Sequence, residues 1–414
     1  MAAAAKPLGG RVAIVGTGNR AAMFVRGIVA RPLSKVVALC EPNSIRAAYY
    51  NQLLESLGAP TVPVYQPDDF KAMLEKEKVE IVVVTCIDAL HDLYIVPALE
   101  AGGDYNPVHE LVKRTIAEGK IGKVISVHFE WLLDTVHGAD YFRRVTGTDK
   151  KTNSGGLMVH KAGHHFDLVN WWINAEPETV AGFGKLAFYG DSAGKEHGWA
   201  REYVRARGSE AAKTDPFAIH LETDPALKAL YVDAEGEDGY HRDQNVFAPG
   251  IGIEDDMSVM VRYNSGATMT YHLTAYSPWE GYHVMFNGSL GRLELSVVES
   301  QYRERGTDEG MEGLTHGNAA LPNPGDATVT LHKLWEKPQV LPIKYEHAGH
   351  GGGDARMLSV LFGPPPGEQA ETGDASKQGA NERDGAMALA VGLMANESFK
   401  TGKFVELKSL NLPL

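Results

Sequence analysis

The sequence predicts an α/β fold in two parts: a doubly wound parallel sheet first, then an α+β unit with a large, mostly antiparallel sheet. Three stretches carry that expectation. Arg11-Val-Ala-Ile-Val15 is a short β-branched run, followed at once by Gly16-Thr-Gly-Asn-Arg-Ala21 and a helical pattern opening with Ala22, Phe24 and Val25. Glu80-Ile-Val-Val-Val-Thr85 is nearly all apolar, as a parallel strand covered on both faces should be. From Asp256 to Val298 apolar and polar residues alternate over 257–263, 267–273, 282–286 and 292–295, with Asn264-Ser-Gly266 and Asn287-Gly288 as turns.

The first unit reads strand, G-x-G-x-x-A, helix. Gly16 makes the tight turn, Gly18 lets the backbone approach a pyrophosphate, and small Ala21 permits close helix–strand packing. Asn19 and Arg20 complete the turn, and the helix N-terminus offers amides and the positive end of its dipole. A second strand over 36–40 ends in Glu41, placed to accept hydrogen bonds from ribose hydroxyls. The pattern points to a dinucleotide. Glu41 leans it towards NAD by repelling a 2′-phosphate, while Arg46 softens the preference and keeps NADP open. Helical patterns follow over 45–57 and 69–76. The third strand ends in Thr85 and Cys86-Ile-Asp-Ala-Leu-His91, at the edge where ligands bind in open α/β sheets. Thr85, Asp88 and His91 are therefore candidates to lie near the nicotinamide.

Bulk numbers bound the partners. A chain of 414 residues suits two domains, and 43% hydrophobic content is ordinary for a soluble globular protein. The net charge of −13 speaks against nucleic acid and anionic membrane as partners. Cys40 and Cys86 lie in or beside apolar runs and read as reduced, buried thiols of a cytoplasmic protein. The opening Met-Ala-Ala-Ala-Ala-Lys has no long apolar region, so neither a signal peptide nor a membrane span is expected.

Ser154-Gly-Gly-Leu-Met-Val-His-Lys-Ala-Gly-His-His-Phe-Asp167 concentrates titratable groups as no other stretch does. On one helix, His160 and His164 share a face with Asp167 beyond them, while Lys161 and His165 lie round the side. Three readings compete: a half-buried helix with satisfied histidines, a metal site, and an acid–base site. The Glu of the HExxH pattern is absent and no third ligand is identifiable, so no metal is assigned.

Jointly, several motifs resemble the Gfo/Idh/MocA oxidoreductases, NAD(P)-dependent enzymes acting on sugars, inositols and related compounds. They are Gly16-Thr-Gly-Asn-Arg20, Glu41-Pro-Asn, Thr85…His91, Ala98-Leu-Glu-Ala-Gly102, Tyr105-Asn-Pro107 and Glu118-Gly-Lys-Ile-Gly-Lys-Val124, then Gly155-Gly…His160-Lys…His164…Asp167 and Asn287-Gly-Ser-Leu-Gly-Arg-Leu-Glu294. The resemblance implies a dinucleotide-binding domain over 1–104 and a substrate-binding and oligomerisation domain over 105–414. It implies that His164 takes the hydroxyl proton as hydride leaves for the nicotinamide, with His160 standing where many members have Asp. Lys161 is a partial stand-in for a missing lysine, and Asp167 caps the helix or orients His164.

One departure counts against the matches. After the Ala98-Leu-Glu-Ala-Gly102 helix end, family members continue with a strand, a Glu-Lys-Pro turn, a helix and another strand. Here Gly103 and Asp104 alone join Gly102 to Tyr105. The family's catalytic lysine and two strands of the parallel sheet belong to that segment, so the resemblance implies a recognisable fold with impaired catalysis. Glu336-Lys337-Pro338 lies deep in the second half and reads as a surface turn, not a relocated motif.

In the second domain, 108–118 reads as a helix and 124–133 as a strand with one wet face. Arg143 and Arg144 are placed to face a polyhydroxy or acidic substrate. Residues 185–245 look irregular and polar, and there Tyr240, Arg242, Asp243 and Asn245 suit a sugar, with faces stacked and hydroxyls bridged. The outer face of the antiparallel sheet, rich in Tyr, Met and His, is a surface for pairing into a homo-oligomer. Asp354 reads as the N-cap of a helix over 355–361, with His350 approaching the active site. Residues 364–383 read as a mobile surface loop, 386–398 as a helix and 404–407 as a closing strand. Two further functions stay open: a glycoside hydrolase that uses the nicotinamide transiently, and a non-catalytic dinucleotide-binding protein.

Overall fold

The computed structural model describes residues 9–86, 102–103, 106–143, 154–303, 324–343, 345, 352–368, 379–380 and 382–412. The apolar runs form a parallel sheet from β1 (Arg11–Val15), β2 (Lys35–Cys40), β3 (Val64–Tyr65) and β4 (Ile81–Val84), in the order β3-β2-β1-β4 among the described residues. Helices α1 (Ala21–Val29), α2 (Ser44–Ser56) and α3 (Phe70–Lys76) alternate with the strands. Asn43 caps α2, its Oδ1 accepting from the Ile45 and Arg46 amides at 3.2 Å each, which is why the helix starts directly after Glu41-Pro42-Asn43.

Among the described residues the sheet ends at β4, in keeping with the short Gly102–Tyr105 connection. β4 pairs only with β1 among the described residues, and Ile81, Val82 and Val84 stay half-exposed. This strand was expected to be covered on both faces; with no strand beyond it among the described residues, those three side chains remain partly wet while Val83 is buried. The dipeptide strand β5 (Gly102–Gly103) pairs antiparallel with β14 (Gly379–Ala380), away from the parallel sheet.

After α4 (Pro107–Ala117), whose N-cap Asn106 accepts from the Val108 amide at 2.9 Å, comes the second sheet. Its strands are β6 (Val124–Asp134), β7 (Pro177–Lys185), β8 (Asp256–Tyr263), β9 (Thr268–Ser277), β10 (Glu280–Gly288), β11 (Gly291–Ser300), β12 (Ala327–Lys333), β13 (Gln339–Leu341) and β15 (Val405–Glu406). Their order is β13-β12-β11-β10-β6-β9-β8-β7-β15, antiparallel except for the β6–β9 pair. Asn287 and Gly288 prolong β10 instead of turning it, so the turn falls at Ser289–Leu290. The Glu336-Lys337-Pro338 stretch does lie in the turn between β12 and β13. Register decides the outer face: Met260, Thr270, His128 and Met285 form one outward row, and Ser258, His272, Glu130 and His283 another. Contrary to expectation, Tyr263, Tyr271 and Tyr282 point the other way and are buried, because the side-chain period of two sends alternate residues to opposite faces.

Two distant segments join the first domain's core. Ile219, Leu221, Leu227, Leu230, Tyr231 and Val232 pack with Val12, Ile14, Val25 and Leu39, as do Leu358, Leu361 and Phe362 of the late helix Gly353–Phe362. That helix begins after Gly352 in the left-handed region (φ +89°), so Asp354 is not its N-cap. Instead Asp354 accepts from Arg20 at 3.2 Å. The last helix, Glu382–Thr401, is longer than the expected 386–398. No helix among the described residues is long and apolar enough to cross a membrane.

Candidate functional site

At the carboxyl edge of the parallel sheet, Gly16 has φ +81°, and a Cβ there would lie 2.4 Å from the Cys86 backbone. Only glycine tolerates both constraints. The turn is tied down from below. Glu41, buried, accepts from the Thr17 amide (2.7 Å) and hydroxyl (3.0 Å) through one oxygen and from the Asn43 amide (2.9 Å) through the other. Thr85 donates to the Gly16 carbonyl at 2.6 Å. Glycines demanded by geometry, a helix N-terminus and a buried acid at the end of β2 together fit a dinucleotide. Gly16, Gly18, Asn19, Glu41 and Thr85 are thus gathered in one place, with Glu41 partly occupied by the turn it supports. Arg20 points instead to Asp354. Asp88 and His91 lie outside the described residues, as does His350. Cys40 is buried and its thiol is pushed up to about 12 by desolvation first and Glu41 next, so it is inert, whereas Cys86 is only half-buried.

The turn has a cover that the local pattern did not announce. Tyr231, buried, places its Oη 3.0 Å from the Asn19 amide, accepting from it, and 3.6 Å from where a Gly18 Cβ would lie. The Arg242 guanidinium stacks on the Tyr231 ring at 4.6 Å and pairs with Asp140 at 3.0 Å, both charged groups being buried. Arg46, expected to be available to a 2′-phosphate, is bonded to Asp238 and the Leu230 carbonyl.

The histidine stretch is not one helix. Gly155 and Gly156 sit at φ +69° and +70°, a short helix covers Leu157–His160, and a second runs over Ala162–Ile173, broken at Lys161. His160 and Lys161 are half-buried and His165 is buried, whereas His164 is exposed. His165 is the satisfied core histidine: its ring stacks on Trp131 at 4.0 Å, and Nδ1 shares a 2.6 Å hydrogen bond with Tyr271. Burial, then the charge of Lys161, holds it well below the usual imidazole range.

Lys161 lies over the Trp131 ring at 5.2 Å, and His160 meets the Tyr141 ring edge-to-face at 5.2 Å. Tyr141 Oη is 3.1 Å from His137 Nε2, and His137 Nδ1 is 2.6 Å from Glu280. Burial, followed by Lys161, drives the His137 ring towards its neutral form, although the accessible third of the ring moderates the effect. Burial raises Glu280 and Asp134, and Arg303 offsets this at Asp134 through a 2.5 Å ion pair. Sequence reasoning missed His137, Tyr141 and Glu280. Their signal, a Thr135-Val-His-Gly-Ala-Asp-Tyr141 helix after a strand, gains meaning only once β10 brings Glu280 alongside.

Three substrate candidates have other employment, and the expectation for them is corrected. Arg242 is consumed by Asp140, and Asp243 accepts from Arg205 at 2.8 Å and the Arg207 amide at 2.9 Å. Asn245 donates to the Arg201 and Tyr203 carbonyls at 3.0 and 2.9 Å. All three are buried: polar residues in an irregular segment are needed to satisfy its own backbone. Tyr240 stays half-exposed. Arg143 is buried with one nitrogen on the Phe217 carbonyl and two without a partner among the described residues. Arg144 lies outside those residues.

Comparison with known proteins agrees with this layout. The profile "Oxidoreductase family, NAD-binding Rossmann fold" matches residues 10–105, and "Oxidoreductase family, C-terminal alpha/beta domain" matches residues 113–407. A Bacillus subtilis (strain 168) chain named "Putative oxidoreductase YteT" is 29% identical over 406 residues, covering 85% of this chain and 88% of that one. In fold, the chain is similar to the WlbA dehydrogenase of Bordetella pertussis, solved with NADH and UDP-GlcNAcA (13% identity, TM-score 0.55, 98% and 99% of the two chains covered). It is also similar to myo-inositol 2-dehydrogenase of Lactobacillus plantarum (15%, TM-score 0.54, 97% and 99%). The two profiles span both halves of the fold, and the chain belongs to the Gfo/Idh/MocA family of oxidoreductases, with an NAD-binding Rossmann domain followed by the family's C-terminal α/β domain.

Proposed function

We propose that this oxidoreductase interconverts a hydroxyl and a carbonyl on a sugar, inositol or related polyhydroxy compound, and that the domain boundary falls between Asp104 and Tyr105. Bound NAD supplies the two-electron hydride acceptor. An imidazole nitrogen of His164 takes the proton from the substrate hydroxyl, and the Lys161 ammonium polarises the same oxygen. His160, against Tyr141, passes the proton on towards the His137–Glu280 pair. The wall formed by Trp131 and Tyr141 offers flat apolar faces for a sugar ring.

One observation carries the reading. Contacts run without a break from the glycine turn through Asn19–Tyr231, Tyr231–Arg242 and Arg242–Asp140 into helix Thr135–Arg143. That helix presents Tyr141 to His160. Coenzyme turn and histidine helices are therefore held on one scaffold. The absent Glu-Lys-Pro segment impairs the rate, since a lysine expected at the reacting oxygen is replaced only in part by Lys161. A cytoplasmic homo-oligomer, joined through the outer face bearing Met260, His272, His128 and Met285, completes the proposal.

The test is NADH formation against a panel of polyols and sugars. Saturable turnover that His164→Ala lowers by about 100-fold or more, with NAD affinity retained, supports the reading. Tight NAD binding with no turnover on any compound overturns it in favour of a non-catalytic binder. Glycoside cleavage without net NADH selects the hydrolase.

A further inference from the structure

The N-terminal turn of α2 is met by two carboxylates from far along the chain. Glu237 accepts from the Ser44 amide at 2.6 Å and the Ser44 hydroxyl at 2.5 Å. Asp238 accepts from Asn43 Nδ2 at 3.1 Å and pairs with Arg46 at 2.5 Å. Asn43 Nδ2 also donates to the Ala234 carbonyl at 2.9 Å, and Arg46 Nε donates to the Leu230 carbonyl at 2.8 Å, so the acidic pair is anchored. Tyr231 fixes the same segment to the glycine turn.

In a dinucleotide-binding domain the acid ending β2 meets the adenosine ribose, and an arginine nearby accommodates a 2′-phosphate. Here the residues just past Glu41 are Asn43, Ser44 and Arg46. Asn43 Nδ2, the Ser44 amide and hydroxyl and Arg46 Nη1 all face Glu237 or Asp238, the Asn43 amide is held by Glu41, and Arg46 Nε is taken by the Leu230 carbonyl, which leaves one donor. Arg46 Nη2 is buried and has no partner among the described residues. Bringing a phosphate to this turn sets its charge against two carboxylates at hydrogen-bonding range, and like charges so placed cost several kcal/mol. A 2′-hydroxyl asks far less, because it needs one acceptor, and the Glu41 oxygen on the Asn43 amide retains a lone pair.

We infer that Glu237 and Asp238 are specificity-determining residues that make this enzyme select NAD over NADP, acting across the domain boundary on the adenosine end of the coenzyme. Glu41 alone would leave Arg46 open to a 2′-phosphate. The acidic pair closes that option by claiming Arg46 and Ser44.

The test titrates NAD+ and NADP+ separately into the purified full chain by calorimetry, without substrate, so the result stands whichever compound the enzyme oxidises. The unaltered chain is expected to bind NAD+ more tightly than NADP+ by about tenfold or more. The isosteric pair E237Q/D238N keeps acceptors in place, and it is expected to tighten NADP+ by about tenfold while NAD+ changes by less than about threefold. Glu237→Gln alone, which leaves the Asp238–Arg46 pair intact, moves the ratio the same way by less. Adding Arg46→Gln to the double variant removes the gain. Equal binding of both coenzymes by the unaltered chain overturns the inference. So does an unchanged ratio in either variant, or a parallel loss of both coenzymes, which is what a purely structural role would produce.

Discussion

His165 and His164 are adjacent in sequence and opposite in environment. His165 is sealed between Trp131 and Tyr271 and its folded-state pKa is depressed, so the native state binds fewer protons than the unfolded chain once pH falls below the unfolded value of about 6.5. Its contribution to stability is therefore intact above that value and lost as pH drops through it, at up to about 1.4 kcal/mol per pH unit. Denaturant titrations at pH 6.5 and 5 should show up to ~2 kcal/mol from this group, and His165→Gln should flatten the dependence. Equal slopes for the two chains would mean that another histidine carries the effect. The Arg242–Asp140 pair sets a second residue-scale expectation. Arg242→Met takes the paired guanidinium from a buried carboxylate and should cost ~3–5 kcal/mol in unfolding free energy, because the charge that most directly offsets its desolvation is gone. A loss below ~1 kcal/mol would show water reaching Asp140.

At the scale of elements, β4 is the weak point. Its half-exposed Ile81, Val82 and Val84 lie at an edge that is unpaired among the described residues, an arrangement that native sheets avoid. Inserting a strand–Glu-Lys-Pro–helix–strand segment between Gly102 and Tyr105 should pair that edge and return a lysine to the reacting oxygen. Polyol-dependent NADH formation is expected to rise by about 100-fold, with a higher unfolding midpoint. A gain in stability without a gain in rate would indicate that Lys161 already serves.

For the molecule as a whole, ligand linkage gives the expected readout. NAD at about 100 times its dissociation constant should raise unfolding free energy by ~2.7 kcal/mol, since only the folded turn binds it. Because the 219–232 segment shares the first domain's core, both domains should stabilise in one transition. Two separated transitions with NAD moving only one would show the domains to be uncoupled.

The strand–glycine–helix unit, the alternating sheet and the short Gly102–Tyr105 join were legible in the sequence, because each depends on local sterics and side-chain periodicity. The outward tyrosines, the unbroken histidine helix and the sugar-facing Arg242, Asp243 and Asn245 were not, because register, a backbone break at Lys161 and distant partners decided them. Residue order by itself pointed to a dinucleotide turn and to Glu41 as the acid at the end of the second strand. Only the folded chain decided that Tyr231 would lie upon that turn and Glu237 and Asp238 upon the first turn of α2, since contacts across about two hundred residues leave no trace in local pattern.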